Sequence, residues 1–220
     1  MRIELDFISV LAEWPLLVKG VAWTVGLTSV STLLGLALGI LLAWSRVHGA
    51  WPLRILAGTY VELIRNTPFI VQLFFVYFGL PALGLRLSPE VASIIAMVIN
   101  LSAYATEIIR AGIEATPKGQ IEAALSLALK PVQIFTYVVL PPALRKVWPA
   151  LVSQIIIVML GSAVCGQIST EELSHAANLI QSRNFRAFEA FIIATLTYLS
   201  LAVALRRLLN WAGPRFLFGR

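Results

Sequence analysis

The chain has 220 residues, of which 59% are hydrophobic and only 13% charged, and its mean hydropathy is +0.85. This composition is too apolar for a soluble domain and indicates an integral membrane protein. The net charge of +6 would suggest nucleic acid in a soluble protein, but here it indicates basic residues collected in cytoplasmic loops, so no nucleic-acid partner is expected. Cys165 is the single cysteine and lies in an apolar stretch, which excludes disulfide frameworks and cysteine-based metal sites.

The chain begins with an amphipathic segment, residues 1–19, which we expect to lie on the membrane. Acidic residues interrupt it and it lacks a small-residue cleavage site, so a cleavable signal peptide is not predicted. The first span, about residues 20–44, has no charge and exceeds the roughly 20 residues that cross the hydrocarbon. Within it Ser31, Gly35 and Gly39 recur at a spacing of four, which would permit close helix packing.

A polar break follows, and then a second span at about residues 60–82. His48 in the break has no second histidine or carboxylate at ligand spacing, so we interpret it as a solvated loop residue. Pro68 removes a backbone donor and biases the preceding residue away from helix, which predicts a kink or a new helix start. Glu62 and Arg65 are three residues apart and are expected to pair.

The third span, about residues 91–109, carries polar residues on one face. Asn100, Tyr104 and Glu107 fall at positions i, i+4 and i+7 of a helix. Polar groups at membrane depth usually line a pathway or bind a neighbouring helix. For Glu107 two interpretations stay open, which are contact with a substrate and a structural ion pair with Arg110.

The longest loop, residues 117–142, contains three charged residues and several prolines, so it cannot lie inside a bilayer. Ile121, Leu125 and Leu129 recur at a spacing of four, which makes one apolar stripe on a helix. We therefore predict a short amphipathic helix that lies at the membrane surface or binds a soluble partner.

Two more spans complete the chain, at about residues 147–168 and 187–207. Residues 169–186 between them are polar and of mixed charge, and we expect them to be too hydrophilic to be buried. The polar side chains that could line a substrate pathway are Gln72, Asn100, Tyr104, Glu107, Gln154 and Ser162.

The distribution of basic residues predicts the orientation. With the N-terminus outside, the cytoplasmic segments hold Arg46, Arg54, Arg110, Lys118, Lys130, Arg145, Lys146, Arg206, Arg207, Arg215 and Arg220. The outer segments then hold only Arg2, Lys19, Arg86, Arg183 and Arg186. This bias predicts an outer N-terminus, a cytoplasmic C-terminus and a cytoplasmic loop at residues 117–142.

Motifs for chemistry on nucleotides or peptides are missing from the sequence. The nearest candidate for a phosphate-binding loop, residues 112–118, has Pro117 where glycine is needed. There is no metalloprotease motif, nucleophile elbow or paired-carboxylate set. We therefore expect no enzymatic activity, cofactor or metal in this chain, which leaves conduction, transport or scaffolding.

Several strings resemble one known family. The string EAALSLALKPVQIFTYVVLP, residues 122–141, resembles the EAA loop of binding-protein-dependent ATP-binding-cassette importers. The strings that resemble its polar amino-acid branch are VELIRNTPFIVQLFFVYFGLP, NLSAYATEIIR, PKGQIEAA and LPPALRKVWPAL. The resemblance spans nearly the whole chain, and the motifs occur in the family's order.

The resemblance implies one all-α permease domain, residues 1–220, in the bacterial inner membrane, with about five transmembrane helices and a cytoplasmic coupling helix at about residues 118–129. It implies as partners a second permease subunit, two cytoplasmic ATPases that carry ATP and Mg, an extracytoplasmic solute-binding protein and a polar amino-acid substrate. The ATPase-coupling residues that it implies are Lys118, Gly119, Glu122, Ala123, Ala124, Leu127 and Ala128.

The sequence departs from the family's pattern at two places. Ala128 aligns with the motif glycine, so a turn that uses positive φ in relatives is expected to be made differently or less sharply here. The fourth span lacks the charged residues that relatives often carry near Ser162. This departure favours a heterodimer in which the chain is the half that engages substrate less.

Two other classes of function stay open beside the importer. One is a non-transporting membrane scaffold or sensor whose cytoplasmic loop recruits a regulator. The other, an ion channel, is disfavoured because the sequence has no filter-like loop or charged ring. The sequence does not specify which amino acid an importer of this kind would carry.

Overall fold

The computed structural model describes residues 5–217, which are largely helical and contain no β-strand. The start of the predicted amphipathic segment, residues 1–4, and the basic residues Arg2 and Arg220 lie outside the described residues. The helices are α1 (Phe7–Leu11), α2 (Trp14–His48), α3 (Trp51–Arg65), α4 (Phe69–Phe74), α5 (Pro89–Glu114), α6 (Lys118–Ser126), α7 (Pro131–Gln133), α8 (Leu140–Gly161), α9 (Leu173–Asn184) and α10 (Ala187–Ala212). Short 3-10 or π-helical turns extend four of these helices. The π turns are Phe75–Gly79 after α4, Ile134–Val139 after α7 and Gly213–Leu217 after α10, and the 3-10 turns are Leu80–Leu83 after the first of these and Ser162–Ile168 after α8.

Four helical stretches in the described part of the chain are long and apolar enough to cross a membrane. They are α2, α5, Pro131–Ile168 and Ala187–Arg215. A fifth span is present if α3 and the stretch Phe69–Leu83 count as one, although they meet at 109°. A new helix does begin after Pro68, as predicted, and the chain there turns by more than a simple kink. The fold is thus an all-α integral membrane fold with four or five spans.

The helical stretches extend beyond the predicted spans. Helix α2 begins six residues earlier than predicted, at Trp14, so the end of the amphipathic segment is part of the first long helix. The stretch before the fourth span, from Pro131, is also helical and runs directly into α8. Pro131 stands in the first turn of this stretch, where a backbone N–H has no partner within the helix.

Close contact between α2 and α5 forms the centre of the fold. A Cβ atom added to Gly39 would lie 2.8 Å from the Cβ of Ala105, and one added to Gly35 would lie 3.0 Å from Leu101. Ser31, one turn earlier, is fully buried. The close packing predicted from the small residues of α2 is confirmed.

We expect Gly39→Ala to destabilise the protein by about 1–3 kcal/mol, because the new methyl group would collide with a packed helix. Gly26 in the same helix has no atom within 4 Å of an added Cβ, so Gly26→Ala is a matched control. That control should stabilise the helix slightly, because alanine is the better helix former. Thermal unfolding in detergent measures both effects, and equal midpoints for the two variants would contradict this packing.

Helix α9 is an unexpected part of the core. Its inner face is fully or almost fully buried at Leu173, Ala176, Ala177 and Ile180. The prediction that residues 169–186 are too hydrophilic to be buried is therefore wrong for this face. The polar residues of the segment lie mostly on the other face, and one carboxylate, that of Glu172, is fully buried.

The Glu172 carboxylate is buried because its hydrogen-bonding capacity is satisfied. It accepts bonds from the backbone N–H groups of Ser174 (2.9 Å) and His175 (2.8 Å), so it caps the start of α9. It also accepts a bond from the Ser174 hydroxyl (2.6 Å) and one from the Tyr198 hydroxyl on α10. The carboxylate thus joins α9 to α10.

Two main apolar clusters lie along the long helices. One contains Leu27, Met97 and Val158, together with Cys165, which is buried as predicted. The other lies below α6 and unites side chains from α2, α5, α6 and α8 with the turn at Ile134–Val139. The loop between the third and fourth spans packs against this second cluster.

Candidate functional site

Helix α6 forms in the predicted amphipathic loop. Its N-cap, Pro117, has an extended backbone (ψ 133°), and the helix then runs for nine residues, Lys118–Ser126. It is shorter than the predicted range 118–129, because the chain leaves the helix at Leu127. The helix is thus a short surface element between α5 and α7.

One side of α6 is anchored in the core and the other is exposed. Ala124 is 4% exposed and Ile121 is half-buried, whereas Leu125 is 56% and Leu127 75% exposed. The predicted apolar stripe is thus divided, because Ile121 packs toward the core beside Ala124 whereas Leu125 remains exposed. Two large apolar side chains are left uncovered at the end of this helix.

The turn after α6 has a left-handed residue. Ala128 has φ +56°, so the expectation that this turn avoids positive φ is wrong. The N–H of Leu129 donates to the carbonyl of Ala124 (3.3 Å), and the N–H of Ala128 donates to that of Leu125 (2.9 Å). This pair of bonds is the Schellman motif, which normally places glycine at the position of Ala128. The motif brings Leu129 back to the core and holds alanine in the unfavourable conformation.

We expect Ala128→Gly to stabilise this turn by about 1 kcal/mol, because glycine adopts positive φ without a Cβ penalty. Ala123→Gly, in the middle of α6, should destabilise the helix by about the same amount. Hydrogen exchange of the amides in residues 118–130 measures both variants. Slower exchange with the first and faster exchange with the second is the expected pattern, and the same sign for both would contradict it.

The residues implied in ATPase coupling lie together on α6 and its turn. Six of them are exposed, namely Lys118, Gly119, Glu122, Ala123, Leu127 and Ala128. The seventh, Ala124, is buried and contacts the chain's own core. The exposed set combines both signs of charge with small and apolar side chains, which suits contact with a folded protein surface.

The polar pathway candidates lie mainly on α4, α5 and α8. Gln72 donates from Nε2 to the carbonyls of Ile64 (2.8 Å) and Thr67 (3.0 Å) and to the Thr67 hydroxyl (2.9 Å). Its Oε1 accepts a bond from Asn100 Nδ2 (3.0 Å). Gln72 therefore donates to two backbone carbonyls at the break between α3 and α4, and Asn100 ties this break to α5.

Glu107 forms a structural ion-pair network. Its carboxylate pairs with Arg110 one turn later (2.9 Å) and with Arg46 at the end of α2. Arg110 also pairs with Glu114 at 2.5 Å. Of the two interpretations of Glu107, the structural one is therefore supported. Sequence spacing indicated the contact with Arg110, but no spacing rule could have found Arg46, which lies on another helix.

The remaining candidates differ in how far their polar groups are available. Ser162 is fully buried and its hydroxyl donates to the Met159 carbonyl (2.6 Å), while Gln154 is 8% exposed. Tyr104 donates its hydroxyl to the Arg65 carbonyl at 3.5 Å. A cavity of 80 Å³ beside Asn100 is smaller than the roughly 300 Å³ of a small-molecule pocket.

Two predictions about charged or titratable side chains need correction. Glu62 does not pair with Arg65, because its carboxylate accepts a bond from Asn66 Nδ2 (3.1 Å) instead. His48 lies in the last turn of α2 and not in a loop, and the centre of its ring is 5.9 Å from that of Phe135 in a T-shaped arrangement. Within residues 5–217, no group of three or more His, Cys, Asp or Glu side chains is placed to hold a metal ion.

Known permease proteins are similar to this chain in sequence. The arginine transport system permease protein ArtQ of Bacillus subtilis (strain 168) is 34% identical over 92% of this chain and 93% of its own length. The glutamine transport system permease protein GlnP of Escherichia coli (strain K12) is 33% identical over 94% of this chain and 95% of its own.

Solved structures give the same result. A chain from the crystal structure of an amino acid ABC transporter with histidines superposes with a TM-score of 0.85 at 35% identity, covering 95% of this chain and 98% of that one. A chain of the inward-facing MetNI methionine ABC transporter superposes with a TM-score of 0.70 at 26% identity, covering 93% and 97%. The family described as "Binding-protein-dependent transport system inner membrane component" matches residues 35–218. The chain therefore belongs to the family of inner membrane components of binding-protein-dependent transport systems.

Proposed function

We propose that this chain is a permease subunit of an ATP-driven importer of a polar amino acid. It forms half of the translocation pathway together with a second permease subunit. Two cytoplasmic ATPases bind ATP and Mg and supply the energy, and an extracytoplasmic binding protein delivers the substrate. In this arrangement the chain conducts substrate and leaves ATP hydrolysis to its partners.

The observation that carries this proposal is the two-sided environment of α6. Ala124 anchors the helix in an apolar cluster that includes buried residues of α2, α5 and α8. The exposed side presents Glu122 beside the uncovered Leu125 and Leu127. A movement imposed on this side by an ATPase would therefore be transmitted to three membrane-spanning helices.

The orientation that we propose places the N-terminus outside and α6 in the cytoplasm. The concentration of basic residues at the ends of spans near α6 supports it. In this orientation α9 and the loop after α4 face the binding protein, and residues 117–142 face the ATPases.

The substrate class rests on the relatives, whose names specify arginine and glutamine. We propose a heterodimer in which the second permease subunit supplies most of the substrate contacts. Three candidate pathway residues of this chain, Gln72, Glu107 and Ser162, already use polar groups in bonds within the chain. A functional homodimer would contradict this part of the proposal.

Reconstitution tests the function. The chain is co-expressed with its second permease and ATPase, placed in proteoliposomes with ATP inside, and given binding protein and radiolabelled arginine, glutamine, histidine or cystine outside. ATP-dependent accumulation of one of these is expected. A complex that assembles with the ATPase but accumulates no amino acid would favour the scaffold function.

A further inference from the structure

The break between α3 and α4 exposes a group of polar side chains inside the membrane part of the fold. The exposed residues are Glu62, Arg65, Asn66 and Thr67. They belong to the string VELIRNTP, in which the helix ends at Arg65 and the chain turns by 109° into the next helical stretch. The side chains of Gln72, Asn66 and Thr67 donate hydrogen bonds to backbone carbonyls of the break. The Arg65 side chain is therefore not needed for that purpose.

Arg65 is held in place by an aromatic ring. Its guanidinium carbon lies 5.5 Å from the centre of the Tyr104 ring, a cation–π contact. Among the described residues it forms no ion pair. The Glu62 carboxylate accepts a bond from Asn66. The Glu107 carboxylate lies near enough to interact with the charge of Arg65, but its ion pairs are with Arg46 and Arg110.

Arg65 lies at membrane depth. Its contact residue, Tyr104, is fifteen positions after the start of α5 and ten before its end. At 1.5 Å per residue these positions are about 22 Å and about 15 Å from the two helix ends. A charge at this depth that faced lipid would cost several kcal/mol, so such residues face a water-filled cavity or protein.

We propose that the α3–α4 break lines the translocation pathway and that Arg65 binds the carboxylate of an amino acid as it passes. The guanidinium can donate two parallel hydrogen bonds to a carboxylate, a geometry that lysine cannot reproduce. Stacking on Tyr104 fixes the guanidinium while leaving its N–H groups free to donate. The carboxylate assignment rests on the proposed function, whereas the pathway assignment does not.

Thiol labelling tests the pathway assignment. The native Cys165 is fully buried, so Arg65→Cys introduces the only accessible thiol within the described chain. A charged, membrane-impermeant methanethiosulfonate reagent should modify this variant in the intact complex. Leu33→Cys is the matched control, because Leu33 is 72% exposed on the apolar surface of α2 and should face lipid. Failure to label Arg65→Cys, or equal labelling of both variants, would overturn the pathway assignment.

Uptake tests the carboxylate assignment, with radiolabelled arginine and glutamine as probes. Arg65→Gln should lower uptake by about tenfold or more, and Arg65→Lys by less, because lysine keeps the charge but cannot form the two parallel hydrogen bonds. Arg54→Gln, on the exposed surface of the same helix, should transport normally.

Normal uptake by Arg65→Gln, or loss of its assembly with the second permease, would overturn the carboxylate assignment. If the wild-type complex transports neither probe, the proposed function fails and labelling still decides whether Arg65 lines a pathway.

Discussion

Reversing one charge on α6, with Glu122→Lys, is expected to lower ATP-driven uptake by about tenfold or more while the chain stays folded in the membrane. Glu122 is exposed, and none of its side-chain atoms is needed to hold the helix. Its backbone carbonyl accepts from Ser126 (3.0 Å), a contact that the substitution leaves intact. Placing a lysine against an ATPase surface that complements glutamate would cost several kcal/mol of docking free energy. Such a loss is enough to uncouple ATP hydrolysis from transport. Uptake and ATP hydrolysis are measured on the same proteoliposomes.

A matched control separates the position from the added charge. Gln120→Lys introduces a lysine at another exposed position of α6, and it should transport close to normally. Normal uptake by Glu122→Lys would refute the role assigned to this helix. Equal loss in both variants would show that any added positive charge on α6 is harmful and that Glu122 has no particular role.

The largest effect on stability is expected at Glu172. Glu172→Ala should destabilise the fold by about 2–4 kcal/mol, since it removes the cap of α9 and leaves buried donors without partners. The donors left behind are the N–H groups of Ser174 and His175 and the Tyr198 hydroxyl. For a chain of this length the loss corresponds to roughly 5–15 °C in the unfolding midpoint, measured in lipid nanodiscs.

The neighbouring residue provides the control for this prediction. Glu171 forms an ion pair with Lys19 at 2.6 Å, but both side chains are about half exposed. An exposed pair of this kind contributes only about 0–1 kcal/mol, so Glu171→Ala should change the midpoint little. If the two variants unfold at the same temperature, the buried carboxylate does not join α9 to α10 as described.

The membrane-spanning character of the fold could be predicted because it depends on uninterrupted apolar length. Close packing of α2 was also predictable, since Gly35 and Gly39 recur once per turn and allow another helix to approach, but its partner, α5, was not. Helix α9 could not be predicted in the same way. Its buried face consists of only four apolar residues in a polar segment, and two of them are alanines. The Glu172 carboxylate is tolerated only because hydrogen bonds from two helices converge on it.

The candidate site was predicted in position but not in detail. The spacing of apolar residues located α6, but the side of the helix that faces the core depends on the packing of Ala124, which a periodicity of large residues does not reveal. Ala128 shows a similar limit, because the hydrogen bonds of the turn and the burial of Leu129 hold alanine in a conformation typical of glycine. The bonds of Gln72 and the pair between Arg46 and Glu107 join residues on different helices, so they became visible only in three dimensions.

Cross-linking from α6 to the ATPase tests the central claim most directly. Gly119 is exposed and an added Cβ meets no atom within 4 Å, so Gly119→Cys should fold normally. Gly26→Cys, equally unhindered but on α2, is the control. With a short bifunctional thiol reagent and the assembled complex, Gly119→Cys should form a covalent product with the ATPase subunit and Gly26→Cys should not. An assembled complex in which Gly119→Cys forms no such product would contradict the assignment of α6 as the ATPase-docking helix.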